Sequence, residues 1–179
     1  MNLTKRSLPT MMLRPIDDRM LDELTAKAAA SPRKRANHNL HSRLDDPVQR
    51  LLNAIEPGTY IRPSRHAAPE TFETVYLVRG AAALLLFDDR GTVLERLDLA
   101  ANGPVRGAEI PPAMWHTLAS VMPGTIFFEV KEGPYAPPQG ADVAPWSPAE
   151  GDADAPQFES WYHLARAGDS PPARRQSLP

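Results

Sequence analysis

The feature that most constrains the fold of this chain is a run of short β-rich segments between residues 59 and 131. Turn signals separate these segments, and in Asp88-Asp89-Arg90-Gly91 the glycine stands where a hairpin favours a positive φ. The predicted strands are Thr59–Arg62, Glu73–Arg79, Ala81–Phe87, Val93–Asp98, Gly107–Ile110, Trp115–Ser120 and Thr125–Lys131. Because no helical pattern lies between them, the sequence predicts an all-β antiparallel sandwich or small barrel and not βαβ units.

The residues before this run follow other patterns. Residues 1–15 are polar and punctuated by proline, which predicts poor order. Asp17 to Ser31 has helical spacing behind an aspartate cap, and residues 34–44 are predicted to form a loop or a short strand. A second short helix is predicted from Asp45 to Ile55, because an aspartate followed by proline is a common helix start.

Beyond Gly133 the composition shifts to proline, alanine, glycine and aspartate. Only residues 158–167 there have a pattern that predicts one or two helical turns docked on the barrel. The predicted organisation is a poorly ordered N-terminus (1–15), a helical extension (16–57), a barrel (58–135) and a proline-rich arm with a tail (136–179).

Composition argues against several classes of function. A net charge of −2 and a pI near 6.2 give no reason to expect nucleic acid or an anionic membrane as a partner. No apolar stretch is long enough for a transmembrane helix or a signal peptide. The chain contains no cysteine, so a bound metal must take nitrogen and oxygen ligands, and a reducing cytoplasm is the expected compartment.

Two segments contain candidate metal ligands. The first runs from Gly58 to His66 and is followed by Glu73, and the second runs from Gly107 to His116. Two imidazoles and one carboxylate can hold a divalent transition metal, here zinc, iron, nickel or manganese. His66, Glu73 and His116 are therefore the predicted ligands, and Glu73 and His116 are also candidates for acid–base catalysis.

Strand alternation predicts what surrounds these ligands. If residues 60–66 stay extended, Tyr60, Arg62, Ser64 and His66 point to one side and line a wall of the site. Tyr60 and Arg62, together with Trp115, are the predicted small-molecule-binding residues. A polar cluster at the mouth of an apolar barrel is a common arrangement of ligand sites.

The pattern Gly58-x5-Ser64-x-His66-x6-Glu73-x6-Gly80 resembles the first sequence motif of the cupins, and Gly107-x3-Pro111-x-Ala113-x2-His116 resembles the second. Further stretches resemble the WbuC-like group of small bacterial cupin metalloproteins, often encoded with surface-polysaccharide genes. These stretches are Asp45-Asp46-Pro47-Val48-Gln49-Arg50-Leu51-Leu52-Asn53-Ala54, Phe87-Asp88-Asp89, Glu109-Ile110-Pro111-Pro112, Trp115-His116-Thr117 and Phe128-Glu129-Val130-Lys131-Glu132-Gly133-Pro134-Tyr135.

The resemblance implies a jelly-roll β-barrel that pairs as a homodimer, with metal ligands at positions 64, 66, 73 and 116. Ser64 stands where the motif usually has its first histidine, and a neutral hydroxyl is a poor ligand for zinc or iron. His41, which precedes the barrel, could partly replace that ligand, and a solvent-facing histidine is the equal alternative. Ala113 and Ser120 replace the glycine and asparagine usual in the second motif.

Three functions remain open from the sequence. The first is a metal-dependent enzyme, of the isomerase, epimerase or dioxygenase type, acting on a small polar and sugar-derived metabolite. The second is a non-catalytic binding or sensing module whose metal site has decayed at Ser64. The third is a metal-free epimerase or isomerase in which His66 or His116 serves as the base.

Overall fold

The computed structural model describes residues 13–66, 71–138 and 140–175. Most of the segment predicted to be poorly ordered at the N-terminus, and the end of the C-terminal tail, lie outside these residues. Two α-helices and eight strands occur in the described part of the chain, with one short 3₁₀ turn at Gly140–Asp142. They are α1 (Asp18–Ala30), β1 (Arg35–Asn39), β2 (Val48–Ile55), β3 (Glu73–Arg79), β4 (Ala81–Phe87), β5 (Val93–Ala100), β6 (Gly107–Ile110), β7 (Trp115–Ser120), β8 (Thr125–Glu132) and α2 (Ala155–Leu164).

The strands form two antiparallel sheets that close around an apolar interior. One sheet has the order β1-β2-β8-β3-β6, and the other has the order β5-β4-β7. Val75, Leu77 and Phe127 of the first sheet pack with Leu84 and Leu118 of the second in one buried cluster. The expected all-β jelly-roll barrel is confirmed, and six of the seven strands predicted between residues 59 and 131 form close to their expected bounds.

Helix α1 covers the outer face of the five-stranded sheet. The Asp17 carboxylate accepts a hydrogen bond from the Met20 N–H and so caps the helix, as the sequence predicts. Leu21 and Leu24 are buried against Leu52 of β2 and Ile126 of β8. The predicted first helix is therefore confirmed, and it shields the side of the sheet opposite the barrel interior. Neither this helix nor any other described one is long and apolar enough to span a bilayer.

Helix α2 covers the outer face of the three-stranded sheet. Its Phe158 and Tyr162 are buried with Leu85 and Phe87 of β4, and Trp115 of β7 belongs to the same cluster. The expectation of helical turns that dock on the barrel is confirmed. The proline-rich arm is thus anchored at its far end by a packed helix.

The predicted second helix at residues 45–55 is wrong, because this segment forms strand β2. Asp46 does cap a turn, since its carboxylate accepts the Val48 N–H, but the chain then enters the sheet between β1 and β8. Leu52 and Ala54 face α1, whereas Ile55 faces the barrel interior, so both faces of the strand are covered. Pairing on both edges and burial on both faces outweigh a local helix-start signal.

The predicted strand Thr59–Arg62 is also absent. This segment pairs with no strand, and sheet contact begins only at Ser64, which bridges His116 on one side and Val143 on the other. Pro63 has no N–H to give to a ladder, which keeps the preceding residues from joining the sheet. In contrast, the short strand that is one of two predictions for residues 34–44 is present as β1. Because β1 and β2 both belong to the five-stranded sheet, this sheet begins well before residue 58.

Replacement of Phe158 by alanine should destabilise the protein by roughly 3–5 kcal/mol, because its ring has no exposed surface and its loss leaves a cavity between α2 and β4. The matched control is Leu164→Ala at the end of the same helix, where the side chain is 77% exposed. That change should lower the unfolding free energy by no more than about 0.5 kcal/mol. Urea unfolding followed by tryptophan fluorescence measures both, and equal effects would contradict docking of α2.

Candidate metal centre

Three residues from distant parts of the chain meet at one end of the barrel. His66 follows the bridge residue Ser64, Glu73 is the first residue of β3, and His116 is the second residue of β7. Their potential ligand atoms all lie within 4.8 Å of one another. Within the described ranges this is the one group of three such side chains, and it contains all three predicted ligands.

The Glu73 carboxylate is the centre of this cluster. Its Oε2 lies 2.6 Å from His66 Nε2 and 3.6 Å from His116 Nε2. Glu73 is 6% exposed and His116 is 8% exposed, while His66 is partly open to solvent. Two imidazole nitrogens and a carboxylate oxygen therefore converge in a mostly buried pocket with one open side.

The orientation of His116 is fixed by the loop before β7. His116 Nδ1 lies 2.9 Å from the Met114 carbonyl oxygen, so the ring donates there and leaves the Nε2 lone pair for the centre. In the same loop Ala113 has φ +59°, a left-handed conformation in which glycine is unstrained. This conformation explains in physical terms why the motif usually has glycine at this position.

Charge interactions keep the carboxylate ionised. Burial alone would raise the pKa of Glu73, but the adjacent imidazoles of His116 and His66 and the charge of Lys131 hold that pKa well below its ordinary value. Burial alone would lower the pKa of His116, whereas the adjacent Glu73 carboxylate raises it. The centre therefore presents a negative carboxylate to a cation, and its donor set of two nitrogens and one oxygen suits zinc, iron, nickel or manganese.

Ser64 lies directly beside the cluster. Its backbone N–H donates to the His116 carbonyl oxygen at 3.1 Å, and the His116 N–H donates back to the Ser64 carbonyl oxygen at 3.0 Å. Opposed residues of an antiparallel pair put their side chains on the same side, so Ser64 shares the side of His116. The position of the usual first histidine is thus preserved, and only the imidazole is missing.

A charged pair with one buried and one partly buried member lies next to the candidate ligands, and the sequence motifs do not include it. Lys131 Nζ and Glu129 Oε1 of β8 are 2.6 Å apart, and Lys131 is the cross-strand neighbour of Glu73. Burial and the negative charge of Glu73 raise the pKa of Glu129. Burial alone would lower the pKa of Lys131, but the negative charges of Glu129 and Glu73 raise it. Side-chain alternation along β8 predicts the positions of Glu129 and Lys131, because both point to the same face of the strand as Phe127, which packs in the barrel interior.

The predicted wall of Tyr60, Arg62, Ser64 and His66 is not formed. The Tyr60 hydroxyl donates to the Pro148 carbonyl oxygen, and the Arg62 guanidinium donates to Ser147 Oγ and to the carbonyl oxygens of Ala144 and Ser147. Meanwhile Ile61 packs on the barrel interior and Pro63 is buried. The predicted alternation requires an extended, paired strand, but residues 59–62 pair with no other strand. The side chains of Tyr60 and Arg62 instead form hydrogen bonds with residues 144–148 of the proline-rich arm.

Trp115 and His41 also lie elsewhere than expected. Trp115 belongs to the cluster under α2, where its indole N–H donates to the Asp89 carboxylate and Arg65 stacks on its ring. His41 is buried, but it is outside the group of converging ligand atoms. The structure thus brings His66, Glu73, His116 and Ser64 together and places Tyr60, Arg62, Trp115 and His41 outside the metal cluster.

Comparisons with known proteins found one family match and several similar solved structures. A family described as a domain of unknown function, DUF6016, matches residues 16–99. This range includes His66 and Glu73 but ends before His116. No curated protein matches the chain.

Several solved structures are similar to this chain, and they include cupins. The KdgF structure from Halomonas sp. is 16% identical, with 57% of this chain and 82% of that chain covered and a TM-score of 0.44. A cupin 2 domain-containing protein from Halorhodospira halophila is 24% identical, with 54% and 62% covered and a TM-score of 0.41. An oxalate decarboxylase OxdC mutant from Bacillus subtilis is 16% identical with a TM-score of 0.45, and the match covers 56% of this chain but only 26% of that chain.

Replacement of Ser64 by histidine should tighten binding of zinc or manganese by at least roughly tenfold, because it adds an imidazole on the side of His116. Isothermal titration calorimetry on the metal-depleted protein measures the change. The control is Ser160→His on the exposed face of α2, which adds a histidine far from the cluster and should leave the affinity unchanged. Equal affinity in the Ser64 variant and the unaltered protein would show that position 64 cannot reach the metal.

Proposed function

We propose that the protein is a metal-dependent cupin enzyme that acts on a small polar, sugar-derived metabolite. The observation that supports this most is the convergence of His66 Nε2, His116 Nε2 and a Glu73 oxygen within 4.8 Å. A divalent metal held there would act as a Lewis acid on a carbonyl or hydroxyl oxygen. The open side of the cluster, at the partly exposed His66, leaves room for a ligand atom beside the three protein ligands.

The residues of the chain have distinct roles in this proposal. His66, His116 and Glu73 hold the metal, and the Met114 carbonyl keeps His116 in the tautomer that can bind it. Glu129 and Lys131 are close enough to influence charge at the centre, and Lys131 lines the same cavity as His66. That cavity, of about 290 Å³, is near the lower end of the size usual for small-molecule sites.

The biological setting belongs to the same proposal. A role in bacterial surface-polysaccharide metabolism is favoured by the similarity to WbuC-like cupins of the stretches Asp45–Ala54, Phe87–Asp89, Glu109–Pro112, Trp115–Thr117 and Phe128–Tyr135. Assembly as a homodimer and a cytoplasmic location stay predictions from that resemblance and from composition.

A metal-free acid–base enzyme is the second candidate, and one distance favours it. His66 Nε2 and Glu73 Oε2 are 2.6 Å apart, a short hydrogen bond of the kind that couples a general base to its charged partner. In that case the carboxylate would hold the imidazole in position for proton transfer. A chelator separates the two candidates, because only the metal-dependent enzyme would lose activity.

Protein purified without a histidine tag from metal-replete cells should contain close to one equivalent of a first-row transition metal. His116→Ala should abolish this content, because it removes a ligand that is almost fully buried and correctly oriented. His163→Ala is the matched control, since His163 pairs with Glu159 on α2 and is not among the converging ligands. Elemental analysis by mass spectrometry is the measurement, and metal-free unaltered protein would refute the metal-dependent function.

A further inference from the structure

A second cavity, of about 390 Å³, adjoins the candidate metal centre along the five-stranded sheet. Lys131, Tyr135 and Pro138 line both this cavity and the one that contains His66. The two spaces are therefore neighbours on either side of Lys131. A ligand that reaches the metal could extend into the second cavity.

The lining of this second cavity is mostly polar, although it faces the barrel interior. Asn53 of β2 and Glu129 and Lys131 of β8 belong to the inner side of the sheet, and Asn37 and Asn39 of the edge strand β1 form an exposed rim. Asn53 donates to Glu129 Oε2 at 2.7 Å, and Lys131 pairs with Glu129 Oε1. Strands that are apolar at one end of the barrel thus become polar at the other, which is typical of a binding site.

His41 contributes a buried donor to this cavity. His41 Nδ1 lies 3.0 Å from both the Arg50 backbone N–H and the Arg50 carbonyl oxygen. The carbonyl oxygen has a partner without His41, because it accepts the Leu40 N–H. The Arg50 N–H can only donate, and a protonated Nδ1 at this distance would repel it. Nδ1 is therefore an acceptor, and the proton of the neutral ring is on Nε2. His41 is only 6% exposed, and its Nε2 has no partner among the described residues. An unsatisfied buried donor is costly, so this atom points to an acceptor supplied by a ligand.

The charges of the lining restrict what that ligand can be. Among the described residues that line this cavity, the charged side chains are Lys131 and Glu129, and they neutralise each other across 2.6 Å. The groups that can meet a ligand include the N–H of neutral His41 and the carboxamides of Asn37 and Asn39. Asn37 donates to Asn39 Oδ1, and the pair still offers both donors and acceptors. Hydroxyl groups, which also donate and accept, match this lining better than a carboxylate or an ammonium group.

We propose that this cavity binds the uncharged, hydroxyl-bearing part of the ligand, with His41 Nε2–H donating to a hydroxyl oxygen. The proposal deepens the proposed function, since it assigns the polyol segment of a sugar-derived substrate to a position beside the metal. The hydroxyl site can also be tested separately from that function, because none of its residues belongs to the converging metal-ligand group. His41 is an alternative ligand from the sequence, but the structure places it outside that group.

The test uses the full chain with xylitol as the probe, after treatment with a chelator and again with zinc added. Isothermal titration calorimetry should detect xylitol binding in both states, because the hydroxyl site does not need the metal. His41→Asn keeps an acceptor near the Arg50 N–H but removes the Nε2 donor, and it should weaken binding roughly tenfold. His41→Gln, which can place an amide N–H near the lost donor, should recover part of that loss.

His38→Asn is the matched control, because His38 is opposite Leu52 and so lies on the outer side of the same sheet. It should leave xylitol binding unchanged. If the His41→Asn variant does not fold, nitrogen NMR of the unaltered protein is the alternative measurement. The His41 Nε2–H signal should shift when xylitol is added, whereas the chemical shifts of the His38 ring should stay unchanged.

Three results would overturn the hydroxyl site: no xylitol binding at tens of millimolar, binding that does not depend on His41, or tighter binding of propionate or methylammonium than of xylitol. These outcomes are distinct from failure of the metal-dependent function. Xylitol binding by a protein that takes up no metal would keep the hydroxyl site and refute the metal, and the reverse result would do the opposite.

Discussion

The structure depends on covering both faces of both sheets. Helix α1 packs on the outside of the five-stranded sheet and α2 on the outside of the three-stranded sheet, while the two inner faces pack on each other. The central strands β4 and β7 therefore bury side chains in both directions over most of their length. Polar side chains can be accommodated inside only where the barrel opens, and that is where the candidate metal centre and the proposed hydroxyl site lie.

Burial of the Glu73 carboxylate explains why the centre has its present composition. A charge that is 94% removed from solvent is tolerated only with close partners, and two imidazoles supply them. Lys131, opposite Glu73 on β8, adds a positive charge, and Glu129 balances it in turn. Metal binding and acid–base chemistry would both use this arrangement, because each needs an ionised carboxylate held between oriented imidazoles.

Two predictions failed for the same physical reason. Residues 45–55 carry a helix-start signal and residues 59–62 alternate like a strand, yet the first segment is a strand and the second has no ladder. In each case the local signal was real, since Asp46 does cap a turn and residues 64–66 do keep the alternation. What decided the outcome was the presence or absence of a pairing partner far away in the sequence, which a local pattern does not contain.

The sequence by itself determined the strands from Glu73 onward, the hairpin turn at Gly91, the first helix and the three candidate ligands that converge. These follow from alternation, turn chemistry and the side chains that can bind a metal, all of which act over a few residues. Only the tertiary structure decided that Arg62 and Trp115 belong to the outer packing. It also placed Lys131 opposite Glu73, with Asn53 and His41 in the adjoining cavity that Lys131 lines. The reason is register: which side chains become neighbours depends on how strands distant in sequence align across the sheet.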